Sequence, residues 1–252
     1  MYEKKLYGRR ILYFKYAPPL TNLDDTSSEE LPNPPFKGAA PYQRSVYYYW
    51  WAFLRENQDY IDCCEANGVG PLATLYRDFG DIRDDNFMRW WADTGRNLFC
   101  EPIDKKIEII LGDQIGSHYF DNVNLSVPIT GDLDRTLAEI RKLLSPIYRK
   151  SRLHTGNISH AKYQVFSKPV LTSLHNHLMV YQAQKQFPRS SKMELTQIAL
   201  SKGALINSND TGLDLNIERN INRYLTQAKA IIANVALGRF PDNGRRGQPD
   251  RL

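Results

Sequence analysis

The sequence has few of the features that mark a secreted protein or a membrane protein. Its 252 residues include only three cysteines, two of them adjacent, which is neither a disulfide framework nor a zinc-ligand spacing. The longest apolar run, residues 46–54, has nine residues and is well short of a membrane span. The apolar stretch at residues 11–14 is too short for the core of a signal peptide. We therefore expect a cytoplasmic protein that does not bind membranes.

Motifs of established catalytic chemistry are also missing. There is no Gly-rich phosphate-binding loop and no nucleophile elbow. His175 and His177 are two residues apart, a spacing that directs their side chains to different sides of a helix and prevents a shared metal ion. We predict that the protein is not an enzyme and has no catalytic residues, no metal ligands and no cofactor.

One acidic cluster leaves an enzymatic alternative open. It comprises Asp78, Asp81, Asp84 and Asp85. Such a cluster can hold a divalent metal for phosphodiester cleavage, so a metal-dependent nuclease is our third functional hypothesis. Helix capping and surface charge explain the cluster more simply, because acidic side chains are favoured where a helix begins.

Charge is distributed unevenly along the chain. The net charge of +5 is made up of +4 in residues 1–20, −11 in residues 21–140 and +12 in residues 141–252. Residues 141–192 contain ten basic side chains and no acidic one. This asymmetry indicates a polyanion partner for the basic region. The alternative is that the acidic and basic regions neutralise each other, within one fold or between neighbouring subunits.

The apolar pattern predicts an α+β fold that is mainly helical, with a small sheet. The composition, 42% hydrophobic and 24% charged residues, is ordinary for a folded globular domain. Segments rich in branched and aromatic residues predict strands, and apolar side chains at helical spacing predict helices. The strands are expected at residues 8–16, 107–111 and 123–129, and the helices at residues 45–67, 84–95, 130–146, 169–186, 193–202 and 215–237.

Three segments are expected from these elements. Residues 1–40 form an N-terminal strand and a proline-rich acidic arm, since six prolines lie within residues 17–41. Residues 41–145 form an acidic, aromatic-rich α+β domain. Residues 146–252 form a basic helical domain that starts with a loop, at residues 145–169, and ends in a disordered tail.

Large aromatic side chains follow one another in residues 47–54. They cannot all face one core, so a platform for stacked bases is one interpretation. The favoured interpretation is a helix packed between layers of the core. A second Trp-Trp pair, at residues 90 and 91, follows the pair formed by Trp50 and Trp51, and we expect the two helices that carry these pairs to pack together.

Residues 194–203 resemble the first helix and the turn of a helix-turn-helix DNA-binding unit, with the small Ala199 for close helix packing and Gly203 in the turn. The next helix would then read base edges, for which arginine, asparagine and glutamine side chains are suited. An ordinary three-helix unit of the core is the alternative, because twelve residues, 204–215, separate the two helices. Arg149, Lys150 and Arg152 would contact phosphates. The predicted nucleic-acid-binding residues are Arg141, Lys142, Arg149, Lys150, Arg152, Lys162, Lys168, Arg219, Asn222, Arg223, Gln227 and Lys229.

Three further segments are similar to uncharacterised proteins of bacterial phages and mobile elements. They are YYYWWAFLR at residues 47–55, DFGDIR at residues 78–83 and ANVALGRFP at residues 233–241. The resemblance implies a regulator or an assembly protein of such an element.

The observations predict a non-enzymatic DNA-binding protein, a regulator or accessory factor of a phage or mobile element, that binds through its basic C-terminal helices. Its partner would be DNA or another polyanion. The second hypothesis is a structural or assembly protein that docks on an acidic partner or shell. Protein contacts or self-association would then use the aromatic surface and the proline-rich arm.

Overall fold

Helices carry most of the fold in the computed structural model, and the mainly helical prediction is confirmed. The structure describes residues 3–7, 10–20, 32–101, 127, 132–154, 159, 161–206 and 214–243. The chain divides into two compact units, a smaller one made essentially of Ile103–Ile158 and a larger one made of Tyr2–Pro102 and Ser159–Leu252. We call them the insertion unit and the main unit. The helices are α1 (Val46–Leu54), α2 (Gln58–Glu65), α3 (Ala73–Phe79), α4 (Phe87–Trp90), α5 (Arg96–Phe99), α6 (Leu133–His154), α7 (Leu171–Gln186), α8 (Lys192–Ser201) and α9 (Asp214–Val235).

The main unit begins with a β-hairpin. β1 (Glu3–Tyr7) pairs antiparallel with β2 (Arg10–Phe14), in a register that sets the first residue of β1 opposite the last residue of β2. That last residue, Phe14, is fully buried in the aromatic core. The strand predicted at residues 107–111 and all of the strand predicted at residues 123–129 except Val127 lie outside the described residues, so the small sheet that they would form stays a prediction.

A polar residue divides the first aromatic helix from the next. Ser45 is the N-cap of α1, as predicted, and its hydroxyl accepts a hydrogen bond from a backbone N–H of the first turn (3.3 Å). The helix ends at Leu54, however, and α2 starts after Asn57, so the single helix predicted for this stretch is wrong. The break arises because the Asn57 side-chain oxygen caps α2, while its amide donates to the backbone carbonyl of Ile232 (2.9 Å).

The second aromatic helix passes through the glycine that was expected to end it. α4 continues through a π-helical turn (Trp91–Gly95) into α5. A Cβ atom at Gly95 would lie 2.6 Å from the ring of Trp90. The prediction that Gly95 stops the helix is therefore wrong: the residue is a glycine because two indole rings pack against its backbone. Asn86 caps the start of α4, through its side-chain oxygen and the backbone N–H of Arg89 (3.0 Å).

The three C-terminal helices of the main unit lie within two residues of their predicted bounds. α8 starts with a capping box in which the Ser191 hydroxyl accepts from the backbone N–H of Glu194 (3.3 Å), and the Glu194 carboxylate accepts from the backbone N–H of Ser191 (2.8 Å). α7, α8 and α9 pack against one another in pairs. Leu195, Ala199 and Ile221 are fully buried between them.

α6 is the helix of the insertion unit. It runs for 22 residues and contains Pro146. The predictions that Pro146 ends the helix and that residues 145–154 belong to a loop are wrong. A proline removes one backbone N–H, while the turns on either side of it keep their own hydrogen bonds.

An aromatic core joins sequence-distant parts of the main unit. Trp50 is fully buried. Its ring centroid lies 5.1 Å from that of Phe99, 6.0 Å from that of Tyr163 and 5.2 Å from that of Phe240. The ring of Phe79 meets that of Tyr163 edge-on, with the two centroids 4.7 Å apart. Residues from the acidic segment and from the basic segment therefore share one core.

This core groups the chain differently from the three predicted segments. The acidic aromatic helices and the basic C-terminal helices lie in the same compact unit, and the chain between them, residues 103–158, forms the other. The rings of residues 47, 49, 50, 51 and 53 are buried, so the packing interpretation of the aromatic run is confirmed. The ring centroids of Trp51 and Trp90 are 6.4 Å apart, and the predicted contact between the two Trp-Trp pairs is confirmed as well.

Candidate nucleic-acid interface

α9 presents a polar, basic face to solvent. Arg219, Asn222, Arg223 and Lys229 are exposed. They recur at helical spacing, so they lie along one side of the helix. The opposite side carries buried apolar residues that fix α9 to the rest of the main unit, namely Ile221, Leu225, Ala228, Ile231, Ile232 and Val235. The structure thus brings four of the five residues predicted on this helix onto one accessible surface.

Gln227, the fifth predicted residue on α9, lies away from that surface. Its side-chain Oε1 is 2.6 Å from Nε2 of His177, and the pair is part-buried between α7 and α9. The His177 ring also meets Tyr224 edge-on, with centroids 5.2 Å apart. Gln227 is therefore half-buried and contacts another helix of the protein.

The structure describes the two residues that suggested a helix-turn-helix unit. Ala199 is fully buried where α8 packs, and Gly203 has a φ of +84°, a left-handed conformation that favours glycine. A Cβ atom at Gly203 would also lie 2.6 Å from the ring of Phe36. Because α7, α8 and α9 pack in pairs, the three-helix unit is confirmed as a structural element. Its role in DNA recognition stays a prediction.

Three consecutive polar residues of α7 hold the end of α8 and the chain that follows it. His175, Asn176 and His177 are all buried. Asn176 makes two hydrogen bonds to Leu205: its amide donates to the backbone carbonyl (2.8 Å), and its oxygen accepts from the backbone N–H (2.7 Å). Nε2 of His175 lies 3.1 Å from the carbonyl oxygen of Lys202. With the contact of His177 to Gln227, these bonds tie the end of α8, Leu205 and α9 to α7, a role that the sequence did not predict. The only available signal was a His-Asn-His run enclosed by the apolar Leu174 and Leu178.

The free energy of unfolding should fall as the pH drops below about 6.5, in part because of His175. Burial lowers the pKa of this imidazole, and the hydrogen bond to Lys202 only partly opposes the effect. The unfolded chain, with an ordinary histidine pKa near 6.5, binds a proton that the folded state resists, so acid favours unfolding. The contribution of neutral, buried His175 to the free energy of unfolding is therefore fully present above about pH 6.5. It is lost as the pH falls below this value.

The test is urea denaturation of the wild type and of His175→Phe across this pH range. Phenylalanine keeps a ring against Phe36, whose centroid lies 4.2 Å from that of His175. The variant should flatten the pH dependence by up to about 1.4 kcal/mol per pH unit. The test compares the slopes of the free energy of unfolding against pH, so a loss of stability that is the same at every pH does not affect it. Equal slopes would assign the acid sensitivity to other groups.

Two ion pairs join the acidic segment to the basic segment inside the main unit. Nζ of Lys162 lies 2.6 Å from Oδ1 of Asp78, and Nζ of Lys185 lies 2.9 Å from Oε2 of Glu56. The Tyr163 hydroxyl donates to the other oxygen of Asp78 (2.6 Å). Burial would raise the pKa of Asp78, but the bonds from Lys162 and Tyr163 more than offset it and hold the pKa below its usual value. Part of the opposite charge is therefore neutralised within one fold.

Each aspartate of the acidic cluster has its own partner. Asp78 binds Lys162 and Tyr163, as described above. Asp81 is paired with Arg83 (2.6 Å) and Asp85 with Arg55, while Asp84 accepts from the backbone N–H of Asn86 (3.0 Å). Within the described ranges, no three His, Cys, Asp or Glu side chains are grouped so that they could hold a metal ion. The geometry of the cluster fits turn formation and surface ion pairing.

The remaining predicted residues are divided between the two units. Lys168 is exposed in the main unit, and Lys162 is exposed but paired with Asp78. Arg141 and Lys142 are exposed on α6 in the insertion unit. Positions 149, 150 and 152 follow on the same helix. The predicted basic set therefore belongs to two structural elements, α6 and α9, with Lys162 and Lys168 between them in the chain.

No protein-family model matches the chain, and no curated protein or solved structure gives a significant match to it. Across the part of the chain that the structure describes, no helix is both long enough and apolar enough to cross a membrane.

Proposed function

We propose that this protein binds DNA without acting as an enzyme, and that the exposed face of α9 contacts the duplex. The observation that carries the proposal is the arrangement of Arg219, Asn222, Arg223 and Lys229 along one solvent-facing side of a helix that is fixed by its other side. Its assignment as a regulator or accessory factor of a phage or mobile element rests on the three short sequence similarities alone.

The chemistry of these side chains suits a duplex. Arginine can make paired hydrogen bonds to guanine and asparagine to adenine in the major groove, which is wide enough for a helix. Lysine adds a contact to the phosphate backbone. Among the described residues, none forms an ion pair with Arg219, Arg223 or Lys229, in contrast to Lys162 and Lys185. The basic face of α9 is therefore available to an external anion.

Reversing two charges on α9 tests this proposal. The double variant Arg219→Glu/Arg223→Glu should bind duplex DNA more weakly than the wild type in fluorescence anisotropy. The slope of log affinity against log salt concentration should also become less steep, by about 0.9 for each phosphate contact that is lost. The control is Arg245→Glu/Arg246→Glu, which changes the net charge equally and should lose less affinity. Absence of DNA binding by the wild type at low salt, or equal losses in both variants, would contradict the proposal.

An assembly protein is the second candidate, and one observation favours it. Leu133 and Leu143 of α6 are exposed by 69% and 62% of their surface, and the same helix carries the exposed Arg141 and Lys142. A combined apolar and basic surface of this kind suits a protein partner better than a phosphate backbone. A complex with an acidic protein that forms without DNA would favour this candidate.

A further inference from the structure

One side of α6 is an uncovered apolar stripe. Leu133, Leu137, Ile140 and Leu144 recur at intervals of four, three and four residues, the spacing of the contact positions in paired helices. Leu133 is 69% exposed and Leu137 is 52% exposed, while Ile140 and Leu144 are partly exposed. An apolar stripe with this spacing is buried when a second helix packs along it.

The charge along α6 determines the direction of such a partner. The region that starts the helix is acidic, with Asp132, Asp134 and Glu139 against Arg135. The region from residue 141 to residue 152 carries five basic residues and no acidic one. Two copies of α6 that run in the same direction would place like charges side by side. Two copies that run in opposite directions, with their leucine stripes in contact, would place the acidic start of each beside Arg141 and Lys142 of the other.

We propose that α6 pairs with α6 of a second copy of this chain in an antiparallel, two-fold symmetric contact. Leu133 of each helix then lies level with Leu144 of the other, and Leu137 lies level with Ile140. The same register places Asp134 two residues, or about 3 Å along the axis, from the level of Arg141 in the other copy. The two-fold axis repeats this contact, so each dimer has two such pairs. The inference concerns self-association and does not depend on DNA binding.

Analytical ultracentrifugation of the full-length chain over a range of concentrations tests the apolar contact. The wild type should show a concentration-dependent monomer–dimer equilibrium. Leu137→Glu should weaken the dimer by about a hundredfold or more, because the contact loses one leucine from each copy. The matched control is Leu237→Glu in the main unit, a leucine whose 69% exposure equals that of Leu133, and it should leave the equilibrium unchanged. Far-UV circular dichroism would verify that both variants are folded.

A charge exchange tests the direction. Asp134→Arg alone and Arg141→Asp alone should each weaken the dimer by about tenfold, since both symmetric pairs become repulsive. Asp134→Arg/Arg141→Asp together should restore most of the affinity, because the pairs are re-formed with reversed sign. Within one helix the two residues are two turns apart, so the rescue reports a contact between copies. A wild type that stays monomeric, a Leu137→Glu variant that still dimerises, or a double variant without recovery would overturn the proposal.

Discussion

Replacement of Phe240 with alanine should lower the free energy of unfolding of the main unit by about 3–5 kcal/mol. Phe240 lies in the basic segment and is fully buried. Its ring centroid is 5.2 Å from that of Trp50 and 5.7 Å from that of Phe53, both in α1 of the acidic segment. The backbone carbonyl of Phe240 also accepts a hydrogen bond from Phe166 (2.8 Å). Truncation would leave a cavity at the place where the two segments meet.

Tryptophan fluorescence shows whether the acidic and basic segments unfold together in this experiment. All four tryptophans of the chain lie in residues 50–91 of the acidic segment, whereas the substitution is in the basic segment. The tryptophan transition should therefore move to lower denaturant together with the far-UV signal from the helices. Phe187→Ala is the control, because Phe187 is 41% exposed and its loss should change stability by less than about 0.5 kcal/mol. A tryptophan transition that does not respond to Phe240→Ala would show that the two segments unfold independently.

The electrostatic pattern of the sequence acquires a different meaning in this structure. The acidic and basic regions, at −11 and +12, were assigned to separate domains, with a polyanion predicted for the basic one and mutual neutralisation as the alternative. Asp78 and Lys162 instead form an ion pair within the main unit, as do Glu56 and Lys185. The lysine of each pair is more than half exposed, so solvent screens the attraction and the pairs add little stability on their own. Their consequence is functional, because they remove Lys162 and Lys185 from the set of cations most accessible to a polyanion.

Local signals predicted the helices whose boundaries are set locally. The ends of α7, α8 and α9 followed from apolar periodicity and from residues such as Gly203, which needs a left-handed conformation. The break at Asn57 could not be predicted in this way, since its amide binds Ile232, 175 residues further along the chain. Gly95 misled the prediction for the same reason: a glycine that admits a neighbouring indole looks, in sequence, like a glycine that ends a helix.

The residues of the candidate site, too, could be predicted from the sequence only where their position depends on local spacing. Helical spacing is sufficient to place Arg219, Asn222 and Arg223 on one face of α9, because that face is defined by the buried residues opposite. The spacing says nothing about which polar residues bind other helices. Gln227 resembles a base-reading residue in sequence, and only the packing of α7 on α9 shows that it faces His177.

Asn176→Ala should destabilise the main unit by about 1–3 kcal/mol, the loss of two hydrogen bonds from one side chain. Asn176 is 4% exposed and holds both backbone groups of Leu205, at 2.7 and 2.8 Å. Alanine is a better helix former than asparagine, so any loss of stability arises from these contacts and not from α7 itself. Asn222→Ala is the matched control: it makes the same change on an exposed helix position and should alter stability by less than about 0.5 kcal/mol.

Hydrogen exchange separates the local role of Asn176 from a general loss of stability. In the wild type, the Leu205 amide donates to the Asn176 oxygen and should exchange slowly. In Asn176→Ala, this amide should exchange much faster, and by a larger factor than the amides in the middle of α9. If α9 then also loses affinity for DNA while the exposed Arg219 and Arg223 are unchanged, the position of the helix contributes to binding together with its charge. A Leu205 amide that stays protected in the variant would show that the segment after α8 is held by other contacts.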